Sequence, residues 1–467
     1  MKPAGPIPML VLVVALAPAV AAAAAAAPGP APFAQARVVT LGNGMRVLLA
    51  PDASATAVDV AVWSRAGAAR EPAGLAGISR LFERLMFTGS EHYGPQEHVQ
   101  RIAAAGGQAG AYGTADLACY HQTVPPGSLE LALRLEADRI ASLRLSPDAV
   151  SEAVRATSED ARRHSEAQPW GPALRAFYEL AWRPHPYGRL VFGPDHDLAG
   201  VGVAECRSFH RSAFAPGELL VTITGRFDAD EALRAVRRWL EPLGRRPGLP
   251  ASVAPVQKAA RRGWERLDVP LDLLLVGWKV PGHASAETPA LGLLARILAA
   301  GPDGRMERAL LPDSVGCLSV QSALDSRREG GLLYVVAAVK AGTDSARIER
   351  VLLEQMERLG REPVGAEELE RARRQEEAAT LLGWQTARGC ADALGSAQLV
   401  DGDWRAAALR LERVRRLTAA DLQRAAARVL VPSGRTVLWV SSARQAAAGQ
   451  TGSDRTLPGQ PPSQGAR

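Results

Sequence analysis

Between residues 38 and 62 the chain runs in short apolar stretches, Val38–Thr40, Met45–Ala50 and Val58–Val62, with Asn43-Gly44 between the first two. Short runs of this kind predict strands, and Asn-Gly supplies the two positive-φ positions that a tight hairpin needs. The period then changes. From Gly74 to Phe87, Leu75, Ile78, Leu81, Phe82, Leu85 and Met86 recur at three- and four-residue steps, a wide stripe that predicts a helix. Pro95 opens another helix, ended by Gly106-Gly107; strand-like residues follow up to Val124, and Leu129–Leu143 reads as helix. Ser146-Pro147-Asp148 joins a capping Ser, a Pro at the first helical position and an acid in the first turn, the start of a further helix. Helices and strands mixed in this order predict an α+β fold.

The pattern also repeats. Ala204–Ile223 carries a helix, then Pro216, then a strand at Leu219–Thr224; Ala420–Trp439 carries a helix, then Pro432, then a strand at Thr436–Val440. A shift of 216 residues lays Pro216 on Pro432 and Val221 on Val437. The sequence therefore predicts two homologous α+β domains, each an antiparallel-rich sheet packed with helices, over 35–245 and 263–444. The Pro- and Arg-rich stretch 246–262 is the expected linker.

The ends read differently. Lys2, an apolar core from Pro8 to Ala19 and an alanine run over 21–27 have the make-up of a signal peptide, 1–27, so export to the periplasm is expected. The strongly apolar part is shorter than the ~20 residues a membrane span needs, so no stable anchor is expected. The tail, 445–467, is rich in Gly, Pro, Ser and Gln, a composition that predicts disorder. The 55 basic and 49 acidic residues are interspersed, without a basic run carrying aromatics, so a nucleic-acid surface is not expected. Cys119, Cys206, Cys317 and Cys390 form no C-x-x-C pair, which argues against a cysteine zinc site. Export permits disulfides, but single buried thiols are the expectation.

The stretch Gly77-Ile78-Ser79-Arg80-Leu81-Phe82-Glu83-Arg84-Leu85-Met86-Phe87-Thr88-Gly89-Ser90 resembles the signature of the insulinase/pitrilysin family of zinc metallopeptidases, of the kind that includes mitochondrial processing peptidases. In that family the helix carries H-x-x-E-H: two His on one helical face bind zinc, and the Glu acts as general base on the metal-bound water. The resemblance puts Glu83 at the base position and Arg80 and Arg84 at the two ligand positions. It implies a third ligand at Glu159, 75 residues beyond Arg84, and a supporting acid at Glu152, two helical turns earlier on the same face. Gly110 stands where the family has a substrate-contacting Asn, His185-Pro186-Tyr187-Gly188 matches another landmark, and Gly304-Arg305-Met306 resembles an element whose Arg helps hold substrate. The Tyr that partners that Arg is not evident near Gly316-Cys317-Leu318-Ser319.

The departures decide the expected chemistry. Arginine stays protonated and offers no lone pair, so Arg80 and Arg84 cannot bind zinc, and Glu159 alone cannot replace a three-residue site. No cofactor is expected, and zinc enters only if this reasoning fails. Two guanidiniums carry the +2 of the missing metal, so Arg80 and Arg84 are expected to bridge Glu83, Glu152 and Glu159 as a metal-free ion network. His92, His98, His121 and His164 show no H-x-x-x-H spacing from which to rebuild a site. The resemblance then implies a non-catalytic subunit that binds peptide and pairs with a zinc-bearing relative as a heterodimer. The alternatives are an active zinc endopeptidase, or a peptide-binding or structural protein, as a homodimer, with no proteolytic role.

Overall fold

The computed structural model describes residues 33–444 except 168, 190–197, 199, 251–253, 300, 302 and 313–314, and for 164–167 the backbone alone. The expected signal peptide (1–27) and tail (445–467) lie outside the described residues.

Two sheets organise the chain. The first contains β1 (Arg37–Thr40), β2 (Arg46–Pro51), β3 (Val58–Ser64), β4 (Gln108–Gly113), β5 (Ala118–Val124) and β6 (Leu219–Gly225), in the order β1-β2-β6-β3-β5-β4. The second contains β7 (Arg261–Leu267), β8 (Asp272–Val280), β9 (Cys317–Ser326), β10 (Gly331–Val339) and β11 (Arg435–Ser442), in the order β7-β11-β8-β10-β9. Apart from the extra hairpin strand β1, the topologies coincide. In each half the last strand inserts between the first two, parallel to one and antiparallel to the other. The repeat is exact at its marker: single helical turns at Pro216–Glu218 and Pro432–Gly434 lead into β6 and β11.

The hairpin forms around Asn43-Gly44 but not as a two-residue turn: Thr40 pairs with Arg46 across a five-residue connection, and Asn43 does not take a positive φ. Gly44 takes φ 91°, and the Asn43 side chain accepts from the Met45 amide at 3.0 Å while donating to the Leu240 carbonyl at 2.8 Å. The helices of the first half are α1 (Ile78–Leu85), α2 (Glu97–Ala104), α3 (Leu129–Ser142), α4 (Pro147–Ala167), α5 (Gly171–Trp182), α6 (Val203–Ala213) and α7 (Ala229–Leu240). Those of the second are α8 (Thr288–Leu298), α9 (Arg305–Leu310), α10 (Ser345–Arg361), α11 (Ala366–Gly383), α12 (Ala387–Val400), α13 (Ala406–Arg416) and α14 (Ala419–Val429). Some boundaries differ from expectation. The first helix starts at Ile78 rather than Gly74, because Gly74 and Gly77 adopt φ of 78° and 92°, outside the helical range. Strand β7 takes Arg261 and Arg262 from the expected linker by pairing with Thr436 and Val437.

One face of the first sheet, with Val47, Val60 and Val62, packs against Ile78 and Phe82 of α1, Ile140 of α3, Phe209 of α6 and Val236 of α7. The other face is covered by a helix from the second half. Helix α12 lies on β3 and β6, its Gly395 so close to Trp63 that a Cβ there would stand 2.4 Å from the indole. Reciprocally, α5 of the first half lays Ala173, Phe177 and Ala181 on Leu273, Leu275, Leu332 and Leu438 of the second sheet. Helices α5 and α12 begin 216 residues apart, so the exchange follows the same repeat. Accordingly, the described residues from Gln35 onward cluster as a single compact unit. Cys119, Cys206 and Cys317 are buried, Cys390 is half-buried, and all are free thiols. Among the described residues no helix is long and apolar enough to cross a membrane.

Candidate functional site

Helix α1 is short, and its start is held by a side chain absent from the sequence reading. Glu71, buried before the helix, accepts from the amides of Gly77 at 2.9 Å and Ser79 at 3.0 Å, closing the open N-terminal donors. The apolar stripe Ile78, Leu81, Phe82 and Leu85 is fully buried, which turns Arg80, Glu83 and Arg84 toward the opposite side.

Glu83 lies against β4. A Cβ on Gly113 would stand 2.9 Å from its Oε1, so the glycine makes room for the carboxylate. Burial raises the Glu83 pKa, against the opposing pull of Arg80, the Gly113 amide and Arg84. Arg80 approaches it, Nη1 to Oε2, at 3.9 Å, with both side chains about one-fifth exposed. Gly110 sits on the same strand opposite His121, where a Cβ would come within 2.8 Å of the imidazole Nε2.

The expected arginine-for-metal network does not form as drawn. Arg84 pairs with Asp160 on α4, not with Glu152 or Glu159. The two acids do share one face of α4, two turns apart, but the cation between them is Arg155. It forks onto Glu152 at 2.7 and 3.0 Å and reaches Glu159 at 2.5 Å, all on an exposed surface. The reason is proximity: Arg155 is one helical turn from each acid, whereas Arg80 and Arg84 must cross from another helix. Arg84 is 42% exposed, and Asp160 stays paired with Arg163 when Arg84 is lost, so its replacement tests one arm of a surface pair. Arg84→Ala should change stability by less than about 1 kcal/mol in urea melts; a loss of about 3 kcal/mol would restore the network.

The donor set does not suit zinc. The two ligand positions carry only N–H donors, and Glu159 is engaged by Arg155. Among the described residues no group of three His, Cys, Asp or Glu side chains is arranged to hold a metal ion. Among the described residues, His92, His98, His121 and His210 serve other ends. His92 bonds Asp138 on the surface at 2.5 Å, and His98 and His210 are buried. Burial lowers the pKa of His121 and of His210 to about 4, with nearby arginines adding to it. Their unfolded values are ~6.5, so the unfolded chain takes up these protons first. Stability is thus full above pH ~6.5 and falls as pH drops toward 4, by about 3 kcal/mol for His210 alone. Denaturant melts of His210→Phe should lose that part of the acid slope.

Arg305 opens α9 in the second half, with its guanidinium committed to Glu368 at 2.8 and 3.1 Å. Arg308 adds a third bond at 2.8 Å, and these bonds hold the Glu368 carboxyl down to about 2 against the effect of burial. The His185-Pro186-Tyr187-Gly188 landmark proves to be a joint between the halves. The Tyr187 hydroxyl bonds Asp116, its carbonyl accepts from Arg327 at 2.8 Å, and the Arg327 guanidinium lies 4.9 Å from its ring centre.

Two family models match this chain: insulinase (peptidase family M16) over residues 46–195 and the peptidase M16 inactive domain over 201–376. The chain belongs to the insulinase (M16) peptidase family. An uncharacterized zinc protease of Mycobacterium leprae is 27% identical over 387 residues, covering 81% of this chain and 86% of that protein. Zinc protease PqqE of Helicobacter pylori is 25% identical over 279 residues, 58% of this chain and 63% of its own. Among solved structures, a protease from Helicobacter pylori matches with a TM-score of 0.80 at 21% identity, over 87% of this chain and 99% of that one. A peptidase M16 inactive domain from Pseudomonas fluorescens matches at 0.77 and 16% identity, over 87% and 98%. The two-sheet M16 fold is thus the frame in which α1, α4 and β4 meet. Sequence reading of this M16 chain missed Glu71, Arg155 and Asp160. The spacing of Arg155 from both acids was the one available signal.

Proposed function

We propose that this M16 chain is a non-catalytic subunit that binds extended peptide and pairs with a zinc-bearing relative, working outside the cytoplasm after removal of the 1–27 leader. The observation that carries the reading is the pair of guanidiniums, Arg80 and Arg84, flanking Glu83 on α1 where a zinc site needs lone pairs. Without a metal-bound water, Glu83 has nothing to deprotonate. The peptide-binding part rests on β4, which ends its sheet with one edge unpaired among the described residues and carries Gly110, so an added strand can approach closely. A second reading, an active zinc endopeptidase, is favoured by the zinc-protease names of the relatives.

Elemental mass spectrometry on the mature chain, purified without a metal-binding tag, separates the two. The expected result is near zero zinc per chain and no cleavage of a fluorogenic peptide with or without added zinc. Cleavage should appear when a co-purifying zinc-bearing M16 chain from the same host is present. Near one zinc per chain, surviving dialysis against a weak chelator, would overturn the proposal and return the peptidase. A homodimer that binds peptide and captures no M16 relative would retain the binding role and remove the pairing.

A further inference from the structure

At one end of the first sheet, β2, β6 and β3 lie side by side, with Arg46 opposite Leu220 and Ser64 opposite Leu219. Arg65 follows Ser64 and Glu218 precedes Leu219, so arginine, glutamate and arginine line up across three neighbouring chain segments. Strand alternation places them on the side that carries Leu48, Leu220 and Trp63, the face turned toward α12. Arg70 joins from the turn after β3. Its Nη1 donates to Glu218 at 2.7 Å and to the Arg65 carbonyl at 3.4 Å, and its Nε to the Pro250 carbonyl at 2.9 Å. Arg328, from the turn between β9 and β10, brings a fourth guanidinium from the second half, and its charge bears on both Arg46 and Arg65.

The cluster is under-compensated. Glu218 is the carboxylate that acts on Arg46 and Arg65, and Arg70 already holds it. Asp116 and Glu329 stand on the Arg328 side, where Asp116 accepts from the Tyr187 hydroxyl and the Arg328 amide, and Glu329 approaches His185. Neither Arg46 nor Arg65 has an ion-pair partner among the described residues, and Nη2 of one and Nε of the other are buried without a hydrogen-bond partner. Half-buried like charges without partners are costly, and a bound anion removes that cost. Guanidinium forks match oxyanions in shape as well as charge.

We propose that Arg46, Arg65 and Arg328 form a seat for a small oxyanion, phosphate or a terminal carboxylate, between the two halves. The test is thermal melting and calorimetry of the full mature chain with inorganic phosphate, at constant ionic strength held with KCl. The expected result is a saturable rise in Tm with phosphate that chloride does not give. Arg65→Gln and Arg46→Gln should each weaken phosphate by about tenfold or more. In phosphate-free buffer Arg65→Gln should melt above the parent, since one repelling charge is gone. Exposed Arg237→Gln should alter neither. A linear rise equal in phosphate and chloride, or undiminished affinity in both variants, would overturn the proposal. The parent titration decides alone if a variant fails to fold. A hexapeptide with a free C-terminus that displaces phosphate, when its C-amide does not, identifies a peptide end as the ligand; if neither displaces it, free phosphate is the ligand.

Discussion

Arg139→Met should destabilise the chain by about 3–5 kcal/mol, read from the shift of the urea midpoint at constant m-value. Arg139 on α3 is 1% exposed, and its partner one turn earlier, Glu136, is fully buried. The guanidinium forks onto that carboxylate through Nε at 2.9 Å and through Nη2, and Gln122 donates to the same carboxylate from β5. The rings of Phe87 and Tyr120 lie 4.8 and 5.2 Å from the guanidinium carbon. Burial alone raises the Glu136 pKa, and Arg139 is the main force against it. Removing the cation therefore leaves an uncompensated carboxylate in the core. The double variant Glu136→Gln/Arg139→Met should recover much of the loss, because two apolar or neutral groups of similar shape need no compensation. A loss below about 1 kcal/mol in the single variant would mean that water reaches Glu136.

Trp63→Ala should cost about 3–5 kcal/mol, and its effect should extend into the other half of the sequence. The indole is 1% exposed, donates to the Thr222 hydroxyl at 3.0 Å and meets Tyr112 edge-on at 6.2 Å. Its far side fills the notch left by Gly395 on α12. Around it, Arg388 of α12 bonds Asp392 at 2.5 Å and approaches Asp59 of β3 at 3.6 Å, while the Tyr112 hydroxyl donates to Asp392 at 2.6 Å. With the indole gone, α12 loses its packing partner but keeps the polar clamp. Hydrogen exchange should therefore quicken along Ala387–Val400 more than along α1. Equal protection of α12 in variant and parent would show that the clamp alone holds it.

How much of this was legible depends on the range of the interaction. The Asn43-Gly44 hairpin, the stripe on α1 and the Ser146-Pro147-Asp148 start are local, and each forms close to its predicted place. The repeat was legible because Pro216 and Pro432 fix the same turn before the same strand. The capping of α1 by Glu71 was not, since nothing in the stripe marks where two left-handed glycines stop the helix. The arginine network failed for a related reason. Charge balance named the right ions but not their distances, and Arg155, one turn from Glu152 and Glu159, outcompetes any cation on another helix. The exchange of α5 and α12 left no local trace at all, because a helix reads the same whichever sheet it covers.

That exchange has a consequence for the integrity of the chain. Each half offers an apolar sheet face that only the other's helix fills, as in a domain-swapped dimer written into one polypeptide. A protease cut in the connection between Leu240 and Arg261 would thus leave two fragments clasped by crossed helices. Either fragment made alone would expose the face that the other's helix covers, with Leu48, Trp63 and Leu220 in the first half and Leu273, Leu275, Leu332 and Leu438 in the second, and aggregate. The covalent link is therefore the least important tie between the halves once folding is complete.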